Sequence, residues 1–327
     1  MRRVLLISSI GALILSLYFS VYFAWQSFQY GGPIERKAAK KDYKYHVVFI
    51  SQEKGSEYWK QVKRGAKDAA AEYDVVVEFK APLQPNIDEH VDLIEMASAS
   101  KVDGIITQGL TEEAFTPVIN QAVDHGIQVI TMDSDVKHSK RYAYIGTDNY
   151  RAGFLAGQRM VRELGGKGEV GVVTGSRRAN NMIQRVEGFR EAIRQHEKMR
   201  IVTVKESNIS LVQASQKTKE IFNQYPDVDG LFGTSASDVI GMVEESESRG
   251  KMNDVVIIGF DQLPQTLKYL KEGKIEATIT QEPYQIGYQS VQSMMALLQG
   301  KPMERRIYTP VKVLDRENMQ AEEEDGP

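Results

Sequence analysis

The chain has 327 residues, 42% of them hydrophobic and 26% charged, with a formal net charge of −3 and no cysteine. That balance suits one large or two medium folded domains and excludes a mainly disordered chain. Lysines and arginines scattered without a basic stripe exclude an electrostatic footprint for nucleic acid, and the missing cysteines exclude disulfides, thiolate metal sites and thiol nucleophiles.

Met1-Arg2-Arg3 precedes an apolar run from Val4 to about Phe28, broken only by serines, one glycine and one glutamine. A stretch of that length crosses a bilayer, for which about 20 residues suffice. Tyr18, Tyr22, Trp25 and Tyr30 fall toward its outer half, where aromatic rings favour the interface. No convincing small-x-small cleavage site precedes Gly31-Gly32-Pro33, so residues 1–30 read as an uncleaved signal anchor and transmembrane helix. Residues 31–44, polar and lysine-rich without an apolar period, read as a flexible stalk.

From Tyr45 onward, short β-branched runs alternate with segments of helical period, the pattern of parallel βαβ units. The first series predicts strand His46–Ser51, helix Glu57–Tyr73, strand Val75–Phe79, helix Ile87–Ala99, strand Asp103–Thr107, helix Glu112–His125 and strand Gln128–Met132. After a helix over Tyr150–Leu164 the rhythm repeats: strand Glu169–Thr174, helix Asn180–Gln195, strand Arg200–Val204, helix Leu211–Gln224, strand Gly230–Gly233, helix Asp238–Arg249 and strand Val255–Phe260. Helix Pro264–Glu272, strand Ala277–Thr280, helix Gln285–Leu298 and an extended run Tyr308–Val313 follow, and residues 320–327 form an acidic tail without apolar period, expected to be disordered. The expected fold class is α/β, with two doubly wound parallel-sheet lobes whose ligands bind outside the carboxyl ends of the strands.

Nucleotide chemistry finds no support. Gly166-x-Gly168-x-x-Gly171 lies before a strand and not between strand and helix, so it reads as a tight turn, and no phosphate-binding loop or nucleophile elbow is present. The five histidines never pair at i, i+4; each reads as a surface residue, and no metal or other cofactor is expected. What gathers at the predicted strand ends is polar and aromatic. Ser51-Gln52 ends the first strand and is followed by Tyr58-Trp59, of which one is expected in the core and one, with Trp59 favoured, against the apolar face of a sugar ring. Asp133-Ser134-Asp135 ends the fourth strand and Asp261 the equivalent strand of the second series; two carboxylates facing one cleft suit a neutral polyol better than an anion.

The stretches Gln128–Asp133 (QVITMD), Tyr144–Asn149 (YIGTDN), Arg185–Phe189 (RVEGF), Val256–Asp261 (VIIGFD) and Ala277–Gly287 (ATITQEPYQIG) resemble, in order, the type I periplasmic binding proteins of the ribose- and galactose-binding kind, which share their core with the lactose-repressor family. The resemblance implies lobes that are discontinuous, 45–146 plus 282–308 and 147–281 plus 309–319, joined by a three-strand hinge, and sugar hydroxyls held by Asp133, Asp261 and Gln281. The sequence departs from the ribose pattern at Ser134, Ile183 and Ser235. Asn180, Asn181 and Ser235 are candidate substitutes, with Arg185 retained. The implied function is a non-enzymatic carbohydrate-binding protein whose partners are a monosaccharide or similar polyol, the membrane through its N-terminal helix, and a sugar ABC permease or a membrane histidine kinase. Sensing of a non-sugar molecule, or a regulatory repressor-like core, is the alternative. The cations after the apolar run outnumber Arg2 and Arg3, which by count alone would place the body inside the cell; the resemblance implies an extracytoplasmic body.

Overall fold

The computed structural model describes residues 13, 15–23 and 43–319. Most of the anticipated anchor and stalk, and the acidic tail 320–327, lie outside the described residues. Residues 15–23 are helical (α1), and among the described residues no helix is long and apolar enough to cross a membrane. The segment through Tyr43 and the body from Lys44 are separate units.

In chain order the body runs β1 (His46–Ile50), α2 (Glu57–Tyr73), β2 (Val76–Lys80), α3 (Ile87–Ala99), β3 (Gly104–Thr107), α4 (Glu112–Asp124), β4 (Gln128–Met132) and β5 (Ala143–Thr147). Then come α5 (Asn149–Glu163), β6 (Lys167–Thr174), α6 (Asn180–Arg194), β7 (Lys198–Glu206), α7 (Leu211–Gln224), β8 (Gly230–Gly233), α8 (Ala236–Ser248), β9 (Val256–Phe260), α9 (Pro264–Glu272), β10 (Ala277–Thr280), α10 (Pro283–Leu298), β11 (Arg306–Thr309) and β12 (Lys312–Leu314). Helix starts follow local chemistry: Ser56, Asn86, Thr111, Asp148, Ser210 and Ser235 each accept a first-turn amide, and α9 and α10 begin on proline.

The strands form two six-stranded sheets, ordered β11-β5-β4-β3-β1-β2 and β12-β10-β9-β8-β6-β7. All neighbours are parallel except β12, which closes the second sheet antiparallel to β10. The central strands are buried over nearly their whole length, as strands covered by helices on both faces must be. The chain passes from one sheet to the other between Thr147 and Asn149, between Thr280 and Pro283, and between Thr309 and Lys312.

Three details differ from the sequence reading. β5 was not anticipated as a strand: five residues containing Gly146 offer too little period to register. The single extended run at Tyr308–Val313 is two strands, one in each sheet. His90, read as a surface residue, is fully buried, its Nε2 at 2.9 Å from Thr107 Oγ1 and its ring edge-on to Phe115; burial pushes its pKa down to about 3. Gly165 and Gly166 take left-handed backbone in the turn that leads into β6, and Gly168, the second residue of that strand, also has a positive φ of 138°.

Candidate functional site

Two aspartates end equivalent strands in equivalent ways. Asp133 follows β4 at φ 59° and Asp261 follows β9 at φ 69°, both left-handed. Each donates its amide across to the neighbouring strand, Asp133 to Ile145 O (3.0 Å) and Asp261 to Ile279 O (2.8 Å). Left-handed backbone costs a non-glycine residue roughly 1–2 kcal/mol, a strain that persists where the surroundings fix it. At Asp133 the fixing includes Gly146, where an added Cβ would lie 2.9 Å from the Asp133 nitrogen and 2.6 Å from Tyr144 Oη.

The side chains that hold these carboxylates come from both sheets. Tyr58 donates to Asp133 Oδ1 (2.5 Å), Gln108 Nε2 to Oδ2 (2.7 Å), and Asn181 Nδ2 reaches the same oxygen at 3.4 Å. Gln281 Nε2 donates to Asp261 Oδ1 (2.7 Å), its amide oriented by Thr147, which donates to Oε1 (2.7 Å). Arg185 is buried with its guanidinium 3.6 Å from the Phe260 ring centroid. Its Nε donates to Asn149 Oδ1 and its Nη1 to Thr234 O, both at 2.8 Å, which uses two of its five N–H donors and leaves one on Nη1 and both on Nη2 for other partners.

Burial raises the Asp133 carboxyl above the usual range, and the Arg185 charge with the Tyr58 and Gln108 hydrogen bonds opposes it. Asp261 is likewise raised by burial, against Arg185 and Gln281. Tyr58 is held well above its ordinary value by burial and then by the Asp133 charge, so it stays a donor. Two acids and one guanidinium leave the site net negative or neutral, which repels anions such as phosphorylated or carboxylated sugars and leaves neutral hydroxyls favoured.

These groups border a cavity of about 110 Å³, well above the roughly 10–15 Å³ that a single water needs, and so with room for a small molecule. Of the residues singled out from sequence, Gln52, Tyr58, Trp59, Asp133, Asn181, Arg185, Ser235, Asp261 and Gln281 all line it. Ser134 does not: its hydroxyl turns away and donates to Gly109 O (2.9 Å). Trp59 borders the cavity but is 6% exposed and belongs to a core cluster with Phe49 and Ile286, while the adjoining Tyr58 carries its polar end into the site. Asp135 is taken by Thr131 and by a two-pronged contact with Arg141, and Asn180 lies in a neighbouring cleft of about 400 Å³ that contains neither Asp133 nor Asp261.

Sequence reasoning missed Gln108, Thr147 and Asn149. Gln108 follows β3 just as Asp133 follows β4, so the strand-end rule that found one could have found the other. Asn149 joins the Asp133 carbonyl (3.3 Å) to Arg185, and its role depends on α5 and α6 lying together, which no local pattern announces.

The profile of a family described as periplasmic binding protein domain matches residues 47–302. Among solved structures the chain is similar to GanP, a glucose-galactose binding protein from Geobacillus stearothermophilus, at 45% identity over 84% of this chain and 98% of that one, with a TM-score of 0.83. It is also similar to the XylFII-LytSN complex, at 37% identity over 84% of this chain and 98% of that one, TM-score 0.79. The D-ribose/D-allose-binding protein of Pseudomonas aeruginosa is 23% identical over 295 residues, 86% of this chain and 92% of that protein.

Proposed function

The chain belongs to the periplasmic binding protein family, and on that premise we propose that it is an extracytoplasmic binding protein, not an enzyme, that closes two lobes on a neutral monosaccharide. The observation that carries the reading is the pair of strand-end aspartates, Asp133 and Asp261, each held by a glutamine amide and both facing Arg185 around one small cavity. Carboxylates accept two hydrogen bonds from neighbouring hydroxyls, the guanidinium donates through its remaining N–H groups, and the Tyr58 ring offers an apolar face to a sugar's C–H side. The lobes of this reading are residues 45–146 plus 282–308 and 147–281 plus 309–319, turning about the three crossings; residues 1–30 anchor the chain in the membrane. The kinship with GanP favours an aldohexose as the first ligand to try. The closed, liganded surface is then presented to a sensor kinase or an ABC permease, and a relative solved in complex with a second protein, LytSN, supports a dedicated protein partner.

A thermal-shift screen of the full chain in detergent against pentoses, hexoses and polyols tests this. A sugar at a thousand times its Kd adds about 4 kcal/mol to stability and should raise the melting temperature by several degrees. Asp261→Asn, which keeps the left-handed backbone but removes the charge, should erase that shift while melting like the wild type without sugar. No shift with any aldose or polyol would refute the monosaccharide reading.

A further inference from the structure

Behind the cavity wall lies a carboxylate that the sugar site does not touch. Asp238, in the first turn of α8, is fully buried. Ser207 donates to its Oδ1 (2.5 Å), and Ser235 (2.8 Å) and Thr234 (3.4 Å) approach its Oδ2. Ser235 is at once the N-cap of α8 and part of the cavity lining. Burial pushes the Asp238 carboxyl up to about 6, so at neutral pH it is ionised and can only accept. The Ser235 hydrogen is thereby committed inward. One Ser235 lone pair faces the Asp238 amide at 3.4 Å, and what the hydroxyl has left for a cavity ligand is a lone pair.

We propose that Asp238 is a positioning residue that sets specificity: by holding the Ser235 hydrogen it makes Ser235 an obligate acceptor, so the site demands a sugar hydroxyl that donates there. A serine over an apolar floor would rotate and serve either a donor or an acceptor on the ligand; this one cannot. Asp238 never meets the sugar, and its effect passes through one hydroxyl. The inference rests on the monosaccharide reading and deepens it.

Fluorine in place of a sugar hydroxyl can accept but cannot donate, which makes monodeoxyfluoro sugars the test. The full chain is titrated calorimetrically with D-glucose, D-galactose and D-xylose and with the monodeoxyfluoro forms of whichever bind. In the wild type, fluorine at one ring position should weaken binding about tenfold or more, the cost of leaving an acceptor unpaired, and Ser235→Ala should erase that penalty and thereby identify the position. Asp238→Asn, whose amide can donate to Ser235 and release its hydrogen, should shrink the same penalty about fivefold, leave the penalties at positions facing Asp133 and Asp261 in place, and change nothing further in the Ser235→Ala background. An unchanged fluorine pattern in Asp238→Asn overturns the proposal, as does a change that survives Ser235→Ala. Should Asp238→Asn not fold, a wild type whose fluorine penalties are all indifferent to Ser235→Ala overturns it as well. A chain that binds none of the three parent sugars takes the monosaccharide reading down with it.

Discussion

Asp238 also leaves a mark on stability, and its sign follows from where its proton sits. Its pKa stands at about 6 in the folded chain against 3.8 for the free side chain. Between those values the folded protein holds a proton that the unfolded chain has released, so the stabilisation is complete below pH 3.8 and is lost as pH rises through about 6. At about 1.36 kcal/mol per pKa unit the loss is on the order of 3 kcal/mol. His90 tilts the other way, since burial lowers it from 6.5 to about 3 and its contribution is lost as pH falls below 6.5. Comparing wild type with Asp238→Asn in urea melts isolates the first effect: the wild-type stability minus that of the variant should fall by about 2 kcal/mol from pH 4 to pH 6, with the remainder of the loss below pH 4 and just above pH 6, and stay level above pH 7. A level difference throughout would show that the carboxyl titrates in the fold as it does in the unfolded chain, and a difference that goes on falling above pH 7 would show that it does not ionise in the fold. Nothing in the sequence announces this group. Ser235 and Asp238 read as the polar start of a helix, and the burial comes from Ser207, a residue 31 positions away at the end of β7. That Asp133, Asp261 and Gln281 would border one cavity was legible because they end strands within recognisable stretches; that Trp59 and not Tyr58 would be the buried member of the core cluster was not, because which of two adjacent rings turns inward depends on the helix packed behind them.

The elements were legible to within a residue or two wherever an apolar period ran long enough, as in α2, α3, α7 and α9, whose bounds the period gives directly. The contacts between elements were not. In each lobe two helices are notched together by glycines: an added Cβ at Gly65 would stand 2.0 Å from Tyr284 O and one at Gly287 1.9 Å from Val62 O, joining α2 to α10. Gly153 and Gly188 repeat the device between α5 and α6, at 1.9 Å from Arg185 O and 1.9 Å from Tyr150 O. Helix propensity alone favours alanine over glycine by about 1 kcal/mol, yet a methyl at Gly153 would force α6 away by more than an ångström, and such overpacking costs about 1–3 kcal/mol. The clash should win. Gly153→Ala should melt below the wild type and bind sugar more weakly, because the displaced backbone is that of Arg185; Gly55→Ala, with nothing within 4 Å of its added carbon, is the control. If the two variants melt alike, the helix pair is looser than its geometry says.

At the scale of the molecule, the two sheets meet away from the cavity as well as around it. The amide of Asn180, at the start of α6, donates to Leu110 O (2.8 Å), and its side chain donates to Asp135 O (2.8 Å), both beyond strands of the other sheet. Ala179 and Met182 pack into the apolar cluster that contains Leu110 and Val136. On the proposed two-lobe reading these contacts form only when the lobes are together, so they would favour closure without touching what is enclosed, and apparent affinity would scale with the closed fraction. Asn180→Ala removes the side-chain bond, worth about 1 kcal/mol, and keeps the amide contact; sugar binding should weaken about fivefold. Asn180 does not line the cavity, so calorimetry should find the same loss for every sugar and every fluorinated form, in contrast to the position-specific change expected of Asp238→Asn. An uneven loss would mean that Asn180 reaches the ligand itself, and the clasp would then have to be counted as part of the site.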